Sequence, residues 1–222
     1  MNLSSDTIII LKNFASINQS IFVRGGSTLK TMSVMKNVLA EATVEEEFPK
    51  DFAIYDLNQF LNGISLHDAP ELDFSNESYL TIREGKRRVK YFFADPSVIV
   101  SPPEKEIQVP SNDVEFQLEH SQLEKLLKAS SIYQLPDLAA VGENGVISMV
   151  VRDKKNDTSN EFSIVVGETN QEFTMNFKVE NVKIVPGSYD VTISKRLISK
   201  FQSRSRNLTY WIALEPDSTF VS

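Results

Sequence analysis

Residues 94–111, ADPSVIVSPPEKEIQVPS, hold four prolines. Proline lacks an amide hydrogen and fixes its own φ, so no helix runs through this stretch and the centre of a sheet does not suit it. It reads as an extended linker that divides the 222 residues into two halves, 1–107 and 108–222. Each half can bury a small core but is marginal alone. Val98, Ile99, Val100, Ile107 and Val109 imply that the linker lies against something.

The first half opens with Ser4-Ser5-Asp6 as a helix start, followed by Ile10, Phe14 and Ile17 at helical spacing. Residues 21–24 read as a strand, Gly25-Gly26 as a hairpin turn, and two further strands fit Leu29–Met35 and Val38–Val44. Phe52–Tyr55 is a short strand, with Asp56 at the N-cap of a short helix striped by Leu57, Phe60, Leu61 and Ile64. Three strands follow between residues 71 and 93. The second half starts with strand Val114–Leu118 and a helix that places Leu123, Leu126, Leu127 and Ile132 on one side. Strands follow, with Asn144-Gly145 as a hairpin turn. A short helix is expected over Lys178–Ile184, and strands end the chain.

The order is the same in both halves: helix, several strands, short helix, three strands. Each last strand is aromatic and runs into acid-Pro, Tyr91-Phe92-Phe93-Ala94-Asp95-Pro96 and Trp211-Ile212-Ala213-Leu214-Glu215-Pro216. A repeat this long is a duplicated domain rather than a solenoid unit. The expected class is α+β, two topologically similar domains, each with two helices packed on antiparallel sheet.

Composition narrows the function. With 41% hydrophobic and 24% charged residues the chain is that of a folded protein. It has no cysteine, which removes disulfides, thiolate metal sites and cysteine nucleophiles. The apolar run Ile8–Leu11 is too short for a signal peptide core or a membrane span. His67 and His120 do not stand at metal-ligand spacing, and no phosphate-binding glycine loop or serine elbow is present. The acid run Glu45–Glu47 and the pair Asp51 and Asp56 read as surface rather than as a magnesium site. No catalytic residue, metal or cofactor is expected. A net charge of −7 argues against nucleic-acid binding unless one face is less acidic than the rest.

Five segments in order carry a family resemblance. They are Leu11-Lys12-Asn13-Phe14-Ala15-Ser16-Ile17-Asn18, Ala53-Ile54-Tyr55-Asp56-Leu57-Asn58-Gln59-Phe60-Leu61, Ala94-Asp95-Pro96-Ser97, Val185-Pro186-Gly187-Ser188-Tyr189, and Ala213-Leu214-Glu215-Pro216-Asp217-Ser218-Thr219. Nearly end to end, the sequence resembles the DNA polymerase sliding clamps of T-even-type tailed bacteriophages. The resemblance implies a homotrimeric closed ring around duplex DNA, with helices inside and sheets outside. It implies the phage DNA polymerase, an ATP-driven clamp loader and late-transcription factors as partners, the host cell cytoplasm as location, and no active site. Partner peptides are expected in an apolar pocket that involves the second domain and Val98–Val109, although its residues are not readable.

Under that reading the DNA-facing candidates are Lys12, Lys125, Lys128, Lys178 and Lys183. Lys125 and Lys128 stand three apart and share a helix face. Acids in the same segments balance these lysines, so the rest of the chain carries the excess negative charge. The run 83–90 reads as a solvated hairpin. Tyr91, Phe92 and Phe93 are the subunit-interface candidates, because alternation along a strand turns at least one of them outward. A non-enzymatic viral β-rich binding or structural module is the competing reading, and it would remain a monomer in solution.

Overall fold

The first helix starts where its capping group sits. Ser4 is extended (φ −69°, ψ 158°) and its side chain accepts a hydrogen bond from the Thr7 amide, one of the amides that a helix N-terminus leaves without a partner. The computed structural model describes residues 1–105 and 107–221. The chain divides into two units, Met1–Glu104 and Lys105–Ser222.

In the first unit, helix α1 (Ser5–Ile17) is followed by strands β1 (Ile21–Val23), β2 (Gly26–Met32), β3 (Val38–Phe48) and β4 (Phe52–Ile54). Helix α2 (Leu57–Ile64) comes next, then β5 (Glu71–Asp73), β6 (Tyr79–Glu84) and β7 (Arg87–Phe92). All pairings within the unit are antiparallel: β1 with β4, β2 with β3, and β5-β6-β7 as a meander. α1 buries Ile10, Leu11, Phe14 and Ile17. α2, capped by the Asp56 carboxylate on the Gln59 amide at 2.8 Å, buries Leu57, Phe60, Leu61 and Ile64. Spacings of three and four put each set on one stripe, and the two helices pack on each other.

Gly25-Gly26 is not a hairpin turn. β1 leaves its ladder with β4 there and β2 begins its ladder with β3. Gly26 stands at φ 109°, a conformation that side-chain-bearing residues rarely adopt. The glycine pair thus lets one run of chain change sheet partners. The hairpin turn lies further on, at Ser33–Asn37, where the Ser33 hydroxyl accepts from the amides of Asn37 and Val38.

The acid run Glu45–Glu47 also departs from the expected surface role. The Glu46 side chain is buried and accepts from the Ser4 amide and from the Thr7 hydroxyl, the latter at 2.5 Å. It is a second cap on α1, supplied from β3. Burial pushes its pKa up, but the hydrogen bonds from Thr7 and Ser4 outweigh that and hold it below the usual carboxylate value.

The second unit runs β8 (Val114–Leu118), α3 (His120–Tyr133), β9 (Asp137–Glu143), β10 (Val146–Arg152), β11 (Phe162–Glu168) and β12 (Glu172–Lys178). It continues with β13 (Tyr189–Ser194), β14 (Ile198–Ser203), β15 (Leu208–Ala213) and β16 (Thr219–Val221). One sheet has the order β8-β13-β14-β15, the other β11-β10-β9-β12-β16, all antiparallel. Asn144 and Gly145 take positive φ, 53° and 85°, as the two-residue turn between β9 and β10 requires. A capping box between Glu119 and Gln122 starts α3, which packs on β10 and β11.

Two expectations fail in this unit. The buried stripe of α3 is Leu123, Leu126, Ala129 and Ser130, while Ile132 is 62% exposed and Leu127 only half-buried. The helix meets the sheet through its small residues near the C-terminal end, which turns Ile132 away. The helix expected over Lys178–Ile184 is only a 3-10 turn, Val179–Asn181. β12 continues to Lys178, and the Val179 amide bonds to the Pro136 carbonyl at 2.9 Å. Val182, Ile184 and Val185 are buried instead, and so short a β-branched stretch nucleates a helix poorly. The described residues hold three α-helices, not four.

The element order nevertheless repeats. β1 pairs with β4 as β9 pairs with β12, and β5-β6-β7 repeats as β13-β14-β15. β8 lies against β13, and in the first unit the backbone of Met1 makes the equivalent pair with Leu72 of β5, at 3.0 and 2.7 Å.

Replacing Glu46 by Ala removes the second cap and is expected to cost about 1–3 kcal/mol at pH 7. A depressed carboxylate pKa contributes stability above its unfolded value and loses it as pH falls through its folded one. The gap between wild type and variant in urea unfolding should therefore begin to close as pH falls below about 4 and keep narrowing as it falls further. A gap that stayed constant down to pH 3 would refute the cap.

Candidate nucleic-acid interface and sheet edges

Burial of one helix stripe fixes what the opposite stripe can offer. On α1 the exposed side presents Ile9, Lys12 and Ser16; on α2 it is Asn58, Gln59 and Asn62; on α3 it includes Ser121, Glu124, Lys125, Lys128 and Ser131. Lys12, Lys125 and Lys128 have no ion-pair partner among the described residues. Glu124 is the one carboxylate on these exposed faces; Asp6 of α1 is only half-exposed. For a chain of net charge −7 these faces are locally cationic or neutral.

Lys178 and Lys183 differ from the other three. Lys178 ends β12, and its ammonium holds Asp137 at 2.5 Å. That carboxylate is 1% exposed and also accepts from the Lys154 amide at 3.1 Å. The hydrogen bond to Asp137 raises the pKa of Lys178. Its charge serves the ladder between β9 and β12, which corrects its placement on a helix. Lys183 is exposed, in the segment between the 3-10 turn and β13 rather than on a helix.

The aromatic run at the end of β7 is split by alternation. Tyr91 turns inward, edge-on to Phe60 with centroids 5.2 Å apart, and its hydroxyl donates to the Asp56 carbonyl at 3.0 Å. Burial raises its phenol pKa. Phe93, just past the strand, packs on Phe52 at 5.4 Å. Phe92 turns outward, 65% exposed, with its ring centroid 5.4 Å from that of Tyr79. Arg88 and Lys90 share that outward side, with Lys90 4.8 Å over the Tyr79 ring. β7 is the open edge of its meander, and β11 is an edge of the larger sheet in the second unit, with Val165 57% exposed. Glu161 and Glu168 flank the β11 edge and are exposed.

Two family models cover almost all of this. Residues 4–101 match the DNA polymerase processivity factor family, and residues 115–216 match the C-terminal part of the gp45 sliding clamp family. The sliding clamp of Vibrio phage KVP40 is 34% identical over 97% of this chain and 99% of its own length. That of Escherichia phage RB69 is 35% identical over 99% of each. The chain belongs to the sliding-clamp family. It is a DNA polymerase processivity factor of the T4-like phage type.

The fold agrees with clamps of far more distant sequence. The proliferating cellular nuclear antigen of Entamoeba histolytica matches with a TM-score of 0.68 at 15% identity over 94% of each chain. The A. fulgidus PCNA, solved with the C-terminal region of FEN-1, matches with 0.68 at 14% identity over 96% of each. Sliding clamps bind DNA and partner proteins and form oligomers. No helix of this clamp is long and apolar enough to cross a membrane, and among the described residues no three His, Asp or Glu side chains gather as metal ligands. Arg88 and Lys90 lie on the exposed β6–β7 hairpin that the run 83–90 suggested. Their i, i+2 spacing with Phe92 is the signal that places all three on one side of an edge strand.

The lysines should separate by stability. Lys178→Met strands the buried Asp137 carboxylate and is expected to cost roughly 2–4 kcal/mol. Lys125→Met should stay within about 0.5 kcal/mol of wild type. Equal midpoints for the two variants in urea unfolding would show that Lys178 has no structural role.

Proposed function

We propose that three copies of this clamp form a closed ring around duplex DNA, hold it without reading its sequence, and tether the phage DNA polymerase. The ring has no catalytic activity. An ATP-driven loader opens it, late-transcription factors use it in turn, and it works in the host cell cytoplasm. The carrying observation is the division of charge: exposed helix faces with Lys12, Lys125 and Lys128, on a chain that is otherwise strongly acidic. Topological trapping needs no tight contact, only a lining that does not repel phosphate. Lysines on such a lining touch the backbone non-specifically and let the ring slide. Lys183 is a weaker member of the set.

The open edges favour ring closure. Unpaired strand edges are hazards unless another strand covers them. Pairing β7 of one copy with β11 of the next is a head-to-tail contact, and such contacts close into rings when the rotation permits. Phe92 would be buried in it, Arg88 and Lys90 would meet the flank carrying Glu161 and Glu168, and Tyr91 and Phe93 would support the strand from within.

Reversing Lys125 and Lys128 to Glu should leave folding and assembly intact and lower loader-dependent primer extension about tenfold at low salt. The defect should shrink as salt screens the repulsion. Wild-type extension by the double variant at low salt would remove these lysines from the DNA-facing set. For assembly, sedimentation should give a mass near three times 25.1 kDa for wild type and a shift toward one chain for Phe92→Asp. A wild-type protein that remains one chain on concentration would overturn the trimeric ring.

A further inference from the structure

Asn-Gly occurs twice in the chain, at Asn62-Gly63 and at Asn144-Gly145. The pair has a chemistry of its own. Glycine has no Cβ to shield its amide nitrogen, so that nitrogen can reach the carboxamide carbon of the asparagine before it. The structure puts the two pairs in opposite settings.

Asn62-Gly63 lies inside α2, which buries Leu57, Phe60, Leu61 and Ile64. The helical ladder engages the Gly63 amide with the carbonyl four residues earlier and fixes the backbone on both sides of it. A Cβ at Gly63 would stand 3.5 Å from the Ile82 side chain, so this segment is also packed against β6. Asn144-Gly145 is the two-residue turn between β9 and β10, and both residues are exposed. Among the described residues nothing bonds to the Gly145 amide or to the Asn144 carboxamide. Nothing lies within 4 Å of where a Gly145 Cβ would stand. The turn is held by its flanks: Glu143 pairs with Val146, and the Thr169 amide, just past β11, donates to the Gly145 carbonyl at 3.1 Å.

We infer that Asn144 is a site of spontaneous deamidation, and that the isoaspartate formed there unties the turn from the end of β11. The Gly145 amide nitrogen attacks Asn144 Cγ. The new N–C bond closes a five-membered imide, and the carboxamide nitrogen leaves as ammonia with the proton that the Gly145 amide gives up. Water then opens the ring. Breaking the new bond leaves aspartate; breaking the original peptide bond routes the main chain through the side chain and leaves isoaspartate. Asn144 rests at φ 53°, and the turn must open for the attack. An exposed hairpin tip opens locally at far lower cost than a helix packed on a core.

The two products differ in their effect. A turn of this kind needs positive φ at both positions, which Asn144 and Gly145 supply and which aspartate in place of Asn144 supplies equally well. Isoaspartate inserts a methylene into the main chain, so Glu143 and Val146 no longer close the loop on each other. Either product adds a carboxylate near the exposed Glu143 and Glu168, both of which pair with Val146.

The test is to age the full-length clamp in mildly alkaline buffer and map its peptides by mass spectrometry, with enzymatic carboxyl methylation as the probe for isoaspartate. The peptide carrying Asn144 should convert about tenfold faster than the one carrying Asn62, and should take up methyl groups. Hydrogen exchange at the Thr169 amide should speed up about tenfold in the isoaspartate form. Asn144→Asp adds the charge without the methylene, and its Thr169 exchange should stay within about twofold of fresh protein. Conversion at Asn62 as fast as at Asn144, or none at Asn144, would overturn the site. Unchanged Thr169 exchange in the isoaspartate form, or equal acceleration in Asn144→Asp, would overturn the untying of the turn.

Discussion

A helix that packs on a sheet gives one stripe to the core, and the lysines proposed to face DNA lie on what is left. Leu123, Leu126 and Ala129 commit α3 to β10 and β11, so Lys125 and Lys128 have no course but outward. Leu57, Phe60, Leu61 and Ile64 do the same for α2 and leave an uncharged amide face. The acids are concentrated elsewhere. Packing and charge are therefore one arrangement: loss of a stripe residue would rotate the cationic face as well as open the core.

The parts of the fold that read well in sequence are those written in local chemistry. Asp56 before Leu57, Ser4 before α1, Asn144-Gly145 between β9 and β10, and the strand Val114–Leu118 each carry their own signal within a few residues. What did not read well depends on distant partners. Gly25-Gly26 looks like a turn until β4 and β3 are seen competing for the same run of chain. Lys178 looks helical and free until Asp137, forty-one positions earlier, is found buried beside it. Glu46 looks like one of three surface acids, and nothing within β3 reveals that the end of α1 lies next to it.

The candidate site divides along the same line. Lys12, Lys125 and Lys128 stood on helices that the sequence marked, although the buried stripe of α3 runs through Ala129 and Ser130 rather than Leu127 and Ile132. Alternation along β7 announced that one of Tyr91, Phe92 and Phe93 faced outward, but choosing Phe92 required the inward hydrogen bond from Tyr91 to Asp56.

The charge on β7 also decides which neighbours that strand rejects. Arg87, Arg88 and Lys90 crowd one short edge. Two copies meeting β7 to β7 would bring these cations face to face across the new ladder, where like charges are unfavourable. A symmetric pair made through identical edges is thereby discouraged, although the backbone hydrogen bonds alone would allow it. In the proposed ring the facing edge is of opposite character, flanked by the exposed Glu161 and Glu168.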